Sequence, residues 1–156
     1  MSVRISRNAI ETLCIILQNN GETIMIHWIS LRTALALHAR QIAEHGGGEG
    51  GRDQALLESA LSRAQNTHAY TGDNANPDIL RLAASYAYEI AKNHPFVDGN
   101  KRSALMVSFV FLERNGFTMM ASEEEAYRTF LALAAGEITE EALAAWFVTY
   151  TVHGST

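Results

Sequence analysis

Nine consecutive residues, His94-Pro95-Phe96-Val97-Asp98-Gly99-Asn100-Lys101-Arg102, gather the side chains best suited to chemistry in this chain. A neutral imidazole takes up a proton near neutral pH, so His94 is a candidate general base for an incoming hydroxyl. Asp98 is a hard oxygen ligand, and magnesium usually binds through one or two carboxylates plus substrate phosphates. Gly99 lets the backbone approach an anion closely. The N–H groups from Gly99 to Arg102, with the Asn100 side chain, can cradle phosphate oxygens. Arg102 adds a permanent planar cation for charge that develops on group transfer. Phe96 has no chemistry to do and reads as the anchor that packs the loop onto the core. Singly, each residue has a structural explanation, since Asp-Gly-Asn is a common turn and a histidine at a helix junction usually packs. Their coincidence in one loop points to a catalytic anion site.

The elements around the loop fit that reading. Directly after it come Ala104, Leu105, Met106, Val107, Phe109, Val110, Phe111 and Leu112, apolar on almost every side of a helix, which implies a buried central helix from Asn100 to Arg114. The loop then sits on a helix N-terminus, with its unpaired N–H groups and the positive end of the macrodipole. Upstream, Ile79, Leu82, Ala83, Tyr86, Ala87 and Ile90 recur at helical spacing between Asp78 and Asn93 and deliver His94 to the same place. Ser30 caps a helix through about Glu44, with Leu31, Leu35, His38 and Ile42 on one stripe. The glycine run from Gly46 to Gly51 stops it; it lacks the P-loop pattern and reads as a flexible connection. Asp53 caps a helix burying Leu56, Leu57, Ala60, Leu61 and Ala64, and the pattern lapses into a loop from Asn66 to Pro77. After Asn115-Gly116 come a short extended FTMMA piece, a helix opened by a capping box at Ser122–Glu125, and a last helix capped by Thr139 that buries Leu143, Trp146 and Phe147. His38 and His45 could share a helix face, but without a third ligand a structural role outweighs a metal site.

With 156 residues and two prolines, the chain fits one helical domain able to bury a core unaided. A net charge of −5 argues against general nucleic-acid binding. Cys14 stands alone, which excludes an internal disulfide, and no stretch reaches the length of a membrane span, so a cytoplasmic protein is expected. Residues 1–24 read as an N-terminal extension of unclear role, with a possible helix from Ser6 to Leu17, and Ile26–Ile29 as a short extended piece.

HPFVDGNKR resembles the signature of the Fic/Doc family, H-x-F-x-(D/E)-(A/G)-N-(G/K)-R, at every specified position, and the likeness extends from His27 to roughly Val148. The lysine at position 101, where Fic-type nucleotidyltransferases carry a second glycine, resembles the Doc toxin branch. The resemblance implies an all-α bundle spanning residues 25–156. It implies His94 as base, Asp98 as magnesium ligand, and Gly99, Asn100, Lys101 and Arg102 as holders of the ATP phosphates. It places a target-positioning flap at Asn66–Pro77. Lys101 would intrude on the outer-phosphate subsite, and Leu105 stands where the nucleotidyltransferases carry a second arginine. These departures imply ATP bound in the reversed sense and phosphorylation of a translation factor, elongation factor Tu, with inhibition by a prevents-host-death-type antitoxin. Fic-like AMP transfer and a catalytically silent binding module are the alternatives. The self-inhibitory pattern (S/T)-x-x-x-E-(G/N) is absent near Ser6 and Glu11, and its near-match Ser85–Glu89 is followed by Ile90.

Overall fold

Five of the six helices described begin on a side chain that accepts a hydrogen bond from the first turn, and the sixth does not. The computed structural model describes residues 25–48, 50–71 and 77–154; the expected helix from Ser6 to Leu17 lies outside them. The elements are α1 (Leu31–His45), α2 (Gln54–Thr71), α3 (Ile79–Asn93), α4 (Asn100–Arg114), β1 (Phe117–Met119), α5 (Glu123–Ala134), α6 (Glu140–Tyr150) and β2 (Thr151–His153). Ser30, Asp53, Asp78, Ser122 and Thr139 cap α1, α2, α3, α5 and α6. Such caps each contribute about 1 kcal/mol. Helix α4 starts at Gly99 in the left-handed region, with no side-chain cap.

The described residues are all-α apart from one two-stranded ribbon. α4 is central, as its composition implies, but it shares that place with α3. Helix α3 packs against α2, α4, α5 and α6, whereas α4 packs against α1, α3, α5 and β1. The alanines of α3 (Ala83, Ala84, Ala87 and Ala91) are buried together with Leu82, Tyr86 and Ile90. On α4, Ala104, Val107, Phe111 and Leu112 are buried, while Leu105, Met106, Phe109 and Val110 are only partly covered. Burying a side chain the size of Phe111 contributes roughly 1.5–3 kcal/mol.

Several expectations need correction. Helix α2 does not stop at Asn66 but runs to Thr71. Asn and Thr are only mild helix breakers, and the ring of His68 lies 5.9 Å from that of Trp28, a tertiary contact that the sequence pattern does not reveal. The buried stripe of α1 is Ala34, His38, Gln41 and Ile42, so Leu31 and Leu35 do not belong to it. Ser122 caps α5 through the Glu125 N–H, but the Glu125 carboxylate lies 3.5 Å from Arg128, and no reciprocal bond completes a capping box. The segment before α1 forms no strand. It is clipped to the core by the His27 N–H and C=O, which pair with the Asn115 amide at 2.9 and 3.0 Å, and by the Ile29 N–H, which donates to Tyr86 Oη at 3.2 Å. Tyr86 is fully buried, and burial pushes its hydroxyl pKa up to about 12. β1 does form, and its antiparallel partner is β2, in the register Phe117–His153 and Met119–Thr151.

Charges near the core are paired. Arg63 of α2 bridges Glu89 of α3 and Glu140 of α6, and Arg81 reaches Glu140 and Glu141. Ser85 and Glu89, the near-match to the self-inhibitory pattern, are therefore buried parts of the framework.

Candidate active site

The loop from His94 to Gly99 joins the C-terminus of α3 to the N-terminus of α4. His94 ends α3 in the left-handed region at φ 49°, and among the described residues no other non-glycine has a positive φ. Its N–H still donates to Ile90 O at 3.2 Å, and its imidazole is exposed. Arg52 holds this turn. Its Nε donates to His94 O at 2.8 Å and its Nη2 to Asn93 O at 2.9 Å. A guanidinium there satisfies helix-end carbonyls at the negative end of the dipole.

The glycine run is docked on the loop, which corrects its reading as a flexible connection. Gly51 and Phe96 form an isolated antiparallel bridge. The Arg52 and Asp53 N–H groups donate to Pro95 O at 2.8 and 3.0 Å, and the Val97 N–H donates to Gly50 O at 3.2 Å. The glycines answer a steric demand. A Cβ on Gly47, at φ 125°, would lie 2.8 Å from Asp98 Oδ2, and one on Gly48 would lie 2.9 Å from Val97 Cγ1.

Asp98 is exposed. Its Oδ1 accepts from the Gly99 N–H at 2.8 Å and its Oδ2 from the Gly48 N–H at 3.3 Å. Two carboxylate oxygens carry about four lone-pair sites, so both retain capacity for a cation. Phe96 is buried, as its anchoring role requires. Its ring stacks on His38 of α1, with centroids 3.8 Å apart and planes 3° from parallel. The same His38 ring reaches Asp98 O through Nε2 at 2.8 Å.

Asn100 also braces the loop. Its side-chain amide is committed to the loop itself, accepting from the Phe96 N–H at 2.9 Å and donating to Phe96 O at 3.0 Å. Only one of the two Nδ2 hydrogens is spent on Phe96 O, so a phosphate contact from this residue would use the other or its backbone N–H. Lys101 has a neighbour of its own: its ammonium lies 4.7 Å from the ring centroid of Tyr127 on α5. Arg102 is exposed and, among the described residues, makes no ion pair. The loop thus joins His94, Asp98, Gly99, Asn100, Lys101 and Arg102 to an uncapped helix start, where the first N–H groups lack intrahelical partners. Of the remaining histidines, His45 has its Nε2 3.9 Å from the Glu44 carboxylate.

Sequence reasoning missed His38, Arg52, Gly47 and Gly48 as supports of the loop. For His38 a signal existed: a histidine on a buried helical stripe needs a polar partner. For the glycines the signal was their number, but only the fold shows which of them face Asp98.

The Fic/DOC family model matches residues 28–112. The protein named Protein kinase doc, from Escherichia phage P1, is 35% identical over 116 residues, which span 74% of this chain and 89% of that protein. Toxin Doc of Mycolicibacterium smegmatis is 40% identical over 70 residues, 45% of this chain and 52% of that protein. The matched family segment contains the loop, the helix before it, most of α4, and α1, which carries the His38 ring stacked on the loop's buried anchor; the chain belongs to the Fic/DOC family and is similar to its Doc toxins.

Proposed function

We propose that this chain is a Doc-like toxin that transfers a phosphoryl group from ATP to a hydroxyl of elongation factor Tu, arresting translation and growth. The observation that carries a transfer site is the uncapped N-terminus of α4, flanked by the exposed side chains of His94, Asp98 and Arg102. The similarity to a protein named as a kinase, over most of that protein's length, supports phosphoryl transfer in particular.

In this reading His94 takes the proton of the target hydroxyl. The hydroxyl oxygen bonds to the γ-phosphorus as the bond to the bridging oxygen breaks, and ADP leaves. The N–H groups of the first turn of α4 and the Arg102 guanidinium hold the phosphate oxygens and the charge that develops on them. The donor set fits magnesium. Asp98 retains free lone pairs, and among the described residues no three His, Cys, Asp or Glu side chains form a cage, so phosphate oxygens and water would supply the other ligands. Magnesium, when bound, neutralises phosphate charge. A prevents-host-death-type antitoxin is the partner expected to restrain the activity. The reaction belongs in the cytoplasm with its target, and among the described residues no helix is long and apolar enough to cross a membrane.

One observation favours AMP transfer as a second reading. Lys101, the residue argued to obstruct the outer-phosphate subsite, is directed to Tyr127. Purified elongation factor Tu incubated with this chain, magnesium and ATP decides between them. Label from γ-labelled ATP on the target, with the mass of one phosphate added, is the expected result. Label from α-labelled ATP, with the mass of an AMP, would replace this reading with the second. No modification, together with unimpaired growth of cells expressing the chain alone, would overturn both.

A further inference from the structure

The chemistry above uses Asp98, yet Asp98 sits on an exposed loop with a glycine on one side, where a carboxylate would wander without support. The Gly99 and Gly48 N–H groups hold the carboxylate itself, and support for the Asp98 peptide comes from a residue far away in sequence. His38 is buried on α1, 4% exposed. Its Nε2 lies 2.8 Å from the Asp98 carbonyl oxygen. A carbonyl only accepts, so Nε2 must carry the proton and donate. The face of the same ring lies parallel on Phe96, 3.8 Å away. A Cβ placed on Gly99 would come within 3.6 Å of the His38 ring, so the ring also backs the turn into α4. One side chain therefore touches two of the four residues from Phe96 to Gly99 and leaves no spare room at a third.

We infer that His38 is a positioning residue for Asp98: its Nε2–H fixes the Asp98 peptide, its ring fixes Phe96, and the two contacts together aim the Asp98 carboxylate. The inference rests on the reading of the loop as a magnesium–nucleotide site. His38 touches neither nucleotide nor target, and its effect passes through Asp98. Partners that orient a ligating carboxylate typically change metal affinity or activity by roughly 10–100-fold when removed.

Two substitutions separate the two contacts. His38→Phe keeps a flat ring to stack on Phe96 and removes the donor. His38→Gln restores an N–H donor the same number of bonds from Cβ and removes the ring. Amide hydrogen exchange read by mass spectrometry serves as a readout independent of activity. In His38→Phe the peptides covering Gly48 and Phe96–Gly99 should exchange roughly tenfold faster, as expected for loss of one hydrogen bond that holds a local unit closed. Protection in α3 and α6 should stay at the wild-type level. The magnesium concentration for half-maximal phosphoryl transfer should rise roughly 10–100-fold, and His38→Gln should recover most of that rise.

Loop exchange unchanged in His38→Phe overturns the inference. So does faster exchange that spreads equally through α3 and α6, which would make His38 a core residue and nothing more. A magnesium requirement as high in His38→Gln as in His38→Phe also overturns it, because the donor would then be irrelevant. If the wild-type protein transfers nothing to any target, the proposed function falls, and the exchange measurement still decides what His38 does to the loop.

Discussion

Replacing Gly47 with alanine separates backbone strain from damage to the site, because Gly46 beside it provides a control. Both residues have positive φ, 82° at Gly46 and 125° at Gly47, so alanine is strained at either position. Residues held in such sparsely populated regions cost about 1–3 kcal/mol. For a domain of this size that corresponds to a melting temperature lowered by roughly 2–4 °C per kcal/mol. The steric surroundings differ. A Cβ on Gly46 meets nothing within 4 Å, whereas one on Gly47 would lie 2.8 Å from Asp98 Oδ2, 3.2 Å from Asp98 Cγ and 3.2 Å from Ile42 Cδ1. Contact below 3.0 Å forces movement. Ile42 is buried, so the exposed Asp98 carboxylate is the group that yields. Displacing a catalytic group by about 1 Å can cost about 10²-fold in rate. Thermal denaturation by circular dichroism should therefore show similar losses for Gly46→Ala and Gly47→Ala. Titration of transfer activity with magnesium should show the rate loss and a raised magnesium requirement in Gly47→Ala alone. Gly47→Ala with the activity of Gly46→Ala, at matched folded fraction, would refute the argument that this glycine exists to make room for Asp98.

Other expected outcomes follow from the same geometry. His94→Ala should lower transfer by about 10²–10⁴-fold without lowering the melting temperature, since its imidazole is exposed; full activity in a kinetic assay would remove it as the base. The resemblance, and not the Lys101–Tyr127 contact, makes Lys101 the obstacle in the outer-phosphate subsite. On that reading Lys101→Gly should weaken phosphorylation and let some AMP transfer appear, more so when combined with Leu105→Arg; α- and γ-labelled ATP report the ratio, and an unchanged ratio would clear Lys101 of that role. Burial raises the Glu140 carboxyl pKa, with Arg63 and Arg81 opposing the shift. Between its ordinary and raised values the folded state therefore holds a proton that the unfolded chain has released, and stability falls as pH rises through that window. Glu140→Gln should remove that part of the slope in denaturation curves collected across mildly acidic pH.

The sequence by itself determined what is local or periodic. Caps at Ser30, Asp53, Ser122 and Thr139 depend on one side chain and the next turn, so their positions could be read directly. Phe96 as an anchor, the all-α class and the family also came from contiguous residues, because the loop and α4 adjoin in the chain. Tertiary structure decided what crosses the chain. It extended α2 past Asn66, where the Trp28–His68 contact accompanies turns that propensity alone leaves undecided. It paired β1 with β2, which lie on either side of two helices, and made α3 an equal partner of α4 at the centre. It turned a glycine run that resembled a slack connection into a clamp on Asp98, since whether a glycine is slack or sterically required depends on what its missing Cβ would strike. It directed the Asn100 amide to Phe96 and Lys101 to Tyr127, contacts that residue type does not specify. His38 shows the division most clearly: its burial was readable from the helical stripe, but its partner lies 60 residues away, and only the packing of α1 against the loop brings the two together.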